Sequence, residues 1–293
     1  MRALDAPAPR RGADVISVAI VLALASAALH GTWNVLVKVS GDPRITLTRA
    51  TVAAALLMSP PAFVAWLIAG RPGLSEGALA LAGVSAALEL TYIFLLSAAY
   101  RRGEVSVVYP IARGSAPLLA VVAGIGLLGE KLATPQLIGV AFLLVGILAV
   151  TLPQTSGRAT LPALLTGVAI AAYSAVDRIG VRLATPWLYG WLLVTLLAIA
   201  LVVAQRVTAG AATRQPAIGW RQASAIGLFM WVAYLLVLLA LSIAPLSIVA
   251  PVREVAVVAV AVWGVWKLRE RRGAVLKISG AAATVAGVAL LAL

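Results

Sequence analysis

The sequence predicts an all-α integral membrane protein whose ten transmembrane helices form two inverted five-helix repeats. Three observations predict it: the composition, the spacing of apolar runs, and an internal repeat. Of 293 residues, 62% are hydrophobic and 11% charged, and the mean hydropathy is +1.05. Too few polar side chains remain to cover a soluble globule of this size. The spans are helical because an open sheet would leave backbone groups unpaired in lipid.

A spanning helix needs about 20 apolar residues. Segments 15–39, 46–69, 77–100, 105–128, 135–152, 161–183, 186–205, 220–243, 246–268 and 274–293 meet that need within their fuzzy ends. The first follows Arg10 and Arg11 and contains Ala25, Ser26 and Ala27, so a cleaved signal peptide competes as a reading. Its length and its counterpart in the second half make it a mature helix. Gly41-Asp42-Pro43 separates the first span from the second, and Gly70 to Gly73 the second from the third. Arg101 to Glu104 precede the fourth, and the run from Lys267 to Arg272 follows the ninth. The loops are too short for a soluble domain.

Residues 106–150 occur twice. Ser106, Pro110, Gly139 and Gly146 each have a partner 141 positions on, at Ser247, Pro251, Gly280 and Gly287. Arg113 and Glu130 find Arg253 and Glu270 at 140, as a one-residue slip gives. The chain therefore divides into a polar N-terminal tail (1–14), a first five-helix repeat (15–153), a linker (154–160) and a second five-helix repeat (161–293). An odd number of spans per repeat inverts the second relative to the first. Many secondary transporters are built this way, with the substrate near the midplane between repeats.

The net charge of +13 sits mostly in short connections between apolar runs. That pattern fits topology signals and anionic lipid headgroups, not nucleic acid. Six Lys and Arg fall on the side of the termini and fourteen on the other, which favours both termini outside the cytoplasm unless several of them line a cavity instead. With no cysteine and one histidine, His30, neither a disulfide nor a metal site is expected. No GxxxxGK[ST] phosphate loop is present, and no cofactor is called for.

Charged groups within a span cost about 2.5–3.5 kcal/mol on insertion scales, so Glu89, Arg113, Asp177, Arg178, Arg253 and Glu254 each demand a partner or a watery cavity. Arg113 and Arg253 are repeat partners just past a proline. A guanidinium holds a carboxylate by two parallel hydrogen bonds, which suits an amino-acid or organic-acid substrate; a pair of gate residues is the alternative. His30 and Asn34 in the first span align with Tyr173 and Asp177 in the sixth, at a common offset of 143. Each pair lies on one helical face, with Trp33 as an aromatic wall beside the first. His30 could line a cavity, bond a neighbouring helix or carry a proton. Glu89 shares a face with Tyr92 and could bind a substrate ammonium, take up a coupling proton, or pair with Arg178 or Arg113. Trp231 and Tyr234 form a second aromatic wall, and Tyr109 beside Pro110 completes the substrate-binding set. Trp66, Trp187, Trp191, Trp220 and Trp266 read as interfacial anchors. Glu130 and Glu270 are expected to cap or salt-bridge the short turn into the following helix. Gly139, Gly146, Gly280 and Gly287 are expected to let helices approach closely.

The pattern Pro110, Gly129-Glu130, Gly139, Gly146, with its second copy, the ten short helices and the two halves, resembles the drug/metabolite transporter superfamily. It is most similar to the ten-helix EamA-type members, over nearly the whole chain. His30 to Asn34, followed by Lys38, is similar to their first-helix signature. The second copy departs from the pattern, with Arg269 in the place of Gly129. The resemblance implies a secondary carrier that works by alternating access. Such a carrier is commonly an exporter of amino acids or other small metabolites in the bacterial inner membrane, and the aromatic amino-acid exporters are the branch it points to. Its partners would be a small-molecule substrate and membrane lipid, with a proton as the possible coupling ion. Two other readings compete: a carrier of organic acids, phosphosugars or nucleotide sugars anchored by the arginines, and an intramembrane enzyme. The enzyme would need a nucleophile with its base or a metal-ligand set, and no such spacing occurs.

Overall fold

The computed structural model describes residues 8–38, 40, 42–100, 102, 105–151, 159–208, 218–255 and 274–291. Among them every regular element is helical: α1 (Ala8–Lys38), α2 (Pro43–Ile68), α3 (Glu76–Tyr100), α4 (Val105–Gly126), α5 (Thr134–Thr151), α6 (Thr160–Leu183), α7 (Pro186–Thr208), α8 (Trp220–Ile243), α9 (Leu246–Arg253) and α10 (Ala274–Leu291). Six carry stretches long and apolar enough to cross a membrane, in α1, α2, α3, α6, α7 and α8. Shorter apolar stretches lie in α4, α5 and α10. Large apolar side chains such as Ile68, Leu127, Val145 and Val285 are turned outward, as a lipid-facing surface requires.

Local chemistry explains several boundaries. Asp42 caps α2, its Oδ1 accepting from the backbone N–H of Arg44 at 2.8 Å and of Ile45 at 3.0 Å, with Pro43 at the first helical position. Helix α1 starts at Ala8, inside the stretch read as a polar tail. Helix α9 is described over 8 residues, against the expected span of 246–268. It contains Pro251, which removes a donor, and it closes with the N–H of Glu254 on the Pro251 carbonyl at 3.1 Å. The rest of that span, with Trp266, Arg269 and Glu270, lies outside the described residues.

Helix α1 packs on α8, α3 on α6, α4 on α6, and α2 on both α7 and α8. Helix α9 sits between α4 and α1, while α5 and α10 pair with each other. Trp191, expected as an interfacial anchor, instead packs with Ala54, Ala55 and Trp231 and donates through Nε1 to Ser59 Oγ at 3.0 Å. The α5–α10 seam is built on glycine. A Cβ on Gly139 would sit 2.9 Å from the Gly287 carbonyl, and one on Gly287 would sit 2.7 Å from the Gly139 carbonyl. Backbones this close leave no room for a side chain. Gly287→Ala should therefore lower the melting temperature of the purified protein in detergent, by an overpacking cost of about 1–3 kcal/mol. Gly83→Ala, whose Cβ enters open space, should leave it unchanged.

Candidate functional site

A cavity of about 90 Å³ opens between α1, α2, α3, α6, α7, α8 and α9. Trp33, Tyr92, Tyr173, Trp231 and Tyr234 form its aromatic walls, and His30, Glu89 and Arg253 are its charged or titratable lining. The helical spacing read in the sequence accounts for the placement. Residues three apart share a face, so Glu89 and Tyr92 enter together from α3, and Trp231 and Tyr234 from α8. His30 meets Trp33 edge-on, with ring centroids 4.6 Å apart, and Tyr92 meets Tyr173 at 6.1 Å.

Glu254 joins the two repeat-related arginines. Its Oε1 accepts from Arg113 at 2.9 Å and from Arg253 Nε at 3.4 Å, and all three residues are buried. Arg113 also donates to His30 Nε2. Arginine has no acceptor, so a hydrogen bond between the two requires a lone pair on that ring nitrogen. In this arrangement His30 both lines the cavity and bonds Arg113 on α4. Arg253 is held more loosely, with Tyr173 Oη at 3.5 Å as its other side-chain partner, and it faces the cavity.

Asp177 lies behind the wall. Its Oδ1 accepts from Ser85 Oγ at 2.6 Å and Tyr189 Oη at 3.1 Å, and its Oδ2 accepts from Tyr234 Oη at 2.6 Å. One buried carboxylate on α6 thus binds α3, α7 and α8 through three hydroxyls. The chain supplies donors where water would otherwise be needed.

Glu130 works at a distance from the cavity. It does not cap the following helix, as its sequence position implied. It accepts from the backbone N–H groups of Leu246 at 2.7 Å and Ser247 at 2.9 Å and from Ser247 Oγ at 2.7 Å, all at the start of α9. Gly129 has φ +66°, a left-handed conformation that favours glycine, and it turns the chain so that Glu130 points back across the end of α4. Arg178 Nε lies 3.4 Å from Glu130, and Arg178 also donates to the Leu241 carbonyl. Arg178 is thereby spent on helix ends, not on Glu89.

The expected site residues fall into two sets. His30, Trp33, Glu89, Tyr92, Tyr173, Trp231, Tyr234 and Arg253 meet in the cavity. Asn34, Arg113, Asp177 and Glu254 stand outside its lining. Asn34 donates to the His30 carbonyl at 2.7 Å and, with Arg113, Tyr92 and Thr166, borders a separate void of about 10 Å³. The side chain of Tyr109 lies outside the described residues. Ser85 and Tyr189 escaped the sequence reading. Ser85 sits one turn before Glu89 on the same face, which was a usable signal; Tyr189, close to the start of α7, reads like an interfacial tyrosine and gave none.

Residues 17–152 match the EamA-like transporter family, which lies in the drug/metabolite transporter superfamily. No curated protein matches the chain. A crystal structure of a protein with 19% sequence identity superposes with a TM-score of 0.69 over 94% of this chain and 97% of its own; at that identity the likeness concerns the fold alone. The match makes residues 17–152 similar to a family of membrane transporters, and among the described residues six helices are long and apolar enough to cross a membrane.

Glu254→Ala removes the carboxylate that two buried guanidinium groups share. It should cost about 3–5 kcal/mol, as breaking a buried ion pair does. Arg113→Ala leaves Glu254 paired with Arg253 and should cost less. Thermal unfolding of the two variants in detergent, side by side, checks the order.

Proposed function

We propose that the protein is a secondary active exporter of amino acids, with aromatic and neutral ones as the first candidates, working by alternating access in the bacterial inner membrane. The observation that carries this reading is the cavity itself: Arg253 and Glu89 both line a small space walled by five aromatic rings. A guanidinium receives an α-carboxylate, a carboxylate receives an α-ammonium, and the rings receive an apolar or aromatic side chain. Glu89 is also the group proposed to take up the coupling proton when no ammonium occupies it.

The helix pairing supports two inverted repeats. Exchanging α1 with α6, α2 with α7, α3 with α8, α4 with α9 and α5 with α10 turns the α1–α8 contact into α6–α3, α2–α8 into α7–α3, and α4–α6 into α9–α1. The α2–α7, α4–α9 and α5–α10 contacts map onto themselves, and all of these contacts are present. Rocking one repeat against the other would then open the cavity to either side.

Two guanidinium groups on one carboxylate favour a second reading, a carrier of anionic metabolites. Counterflow in proteoliposomes separates the two. Uptake of phenylalanine, tyrosine or tryptophan is expected, and Arg253→Gln should reduce it about tenfold or more, the equivalent of 1.4 kcal/mol of lost interaction. Glu89→Gln should abolish the response to an imposed pH gradient. Exchange of organic acids or phosphosugars with no response to amino acids would establish the anion carrier instead.

A further inference from the structure

Tyr234 belongs to two environments. Its side chain forms part of the cavity wall, and its hydroxyl donates to Asp177 Oδ2 at 2.6 Å behind that wall. A phenol has one proton to give, and otherwise it accepts. With that proton committed to a carboxylate, the oxygen faces the rest of its surroundings as an acceptor. Glu89 on α3 lines the same cavity, and once ionised its carboxylate also only accepts. With Glu89 ionised, the part of the cavity between them, the Glu89–Tyr234 corner, offers acceptors from both the α3 and the α8 wall. Arg253, on the α9 wall, only donates.

Asp177 is itself held in the orientation that commits Tyr234. Its Oδ1 is occupied by Ser85 and Tyr189, which leaves Oδ2 for Tyr234. At 1% exposure and outside the cavity lining, it does not meet a ligand. We propose that Asp177 is a positioning residue: it sets the donor–acceptor sense of the Tyr234 hydroxyl and so makes the Glu89–Tyr234 corner a subsite for a primary ammonium group. The physiological substrate of that subsite rests on the exporter reading; its chemical preference does not.

Asparagine at position 177 reverses the arrangement without changing its shape. Ser85 and Tyr189 both donate, so the amide oxygen takes the place of Oδ1 and the amide nitrogen that of Oδ2. The nitrogen then donates to Tyr234, whose own proton must turn away toward Glu89. A donor now stands where an ammonium needs acceptors.

The test is calorimetric binding to the full chain in detergent, with phenethylammonium and phenylpropionate as probes that share a ring and carry opposite charges. Asp177→Asn should weaken phenethylammonium about tenfold and leave phenylpropionate within about twofold. In a Tyr234→Phe background the effect of Asp177→Asn should vanish, because no hydroxyl remains to be reversed. Equal weakening of the two probes, an Asp177→Asn effect that persists without the hydroxyl, or no binding of phenethylammonium to the unaltered protein would each overturn the proposal. If phenylalanine is not carried in proteoliposomes while phenethylammonium binding keeps its dependence on Asp177, the exporter reading falls and the subsite stands.

Discussion

Charge placed within a bundle solvated by lipid has to be answered by another group of the same chain, and three carboxylates do most of that work here. Glu254 holds Arg113 on α4 and Arg253 on α9. Asp177 on α6 gathers hydroxyls from α3, α7 and α8. Glu130, in the turn after α4, caps α9 and meets Arg178 on α6. Apart from that between Arg253 and Glu254, neighbours at the end of α9, these contacts cross between helices. An unanswered ion in the same place would cost several kcal/mol, so these pairings also fix how the helices sit against one another.

The cavity lies among the helices that these anchors hold. Seven helices contribute to its lining, yet the groups that fill the anchoring roles, Asp177 and Glu254, stand behind the wall. They act on the lining through Tyr234 and Arg253. The division suits the proposed carrier: residues that line the cavity can exchange one partner for another, while the ones that hold helices together remain satisfied. Glu130 and Arg178 belong to the second group. They join the end of α4, the start of α9 and the α6–α8 contact.

Much of the site was legible in residue type and spacing. Pairs three or four apart had to share a face, and Glu89 with Tyr92, Trp231 with Tyr234, and His30 with Trp33 do enter the cavity together. The pairing of charges was not legible. Glu89 could be matched on paper with Arg113 or Arg178, but Arg113 lies on Glu254 and Arg178 on Glu130. Glu130 looked like the cap of the next helix because it precedes it in sequence. Gly129, in its left-handed conformation, turns it instead toward a helix more than a hundred residues away. Tyr189 was overlooked for a similar reason: a tyrosine near a helix start is commonly interfacial, and only the tertiary structure lays it against Gly180 and Asp177 of α6.

Composition, apolar run length and residue spacing were enough by themselves to determine an all-helical membrane protein and which residues would share a helical face. Those properties depend on local periodicity and on the absence of water in the bilayer, and both can be read one segment at a time. Which carboxylate answers which guanidinium, which aromatic rings meet, and whether a polar residue lines the cavity or stands behind it were decided only by the tertiary structure. A hydrogen bond between helices depends on their rotation and depth relative to each other, and no single segment carries that information.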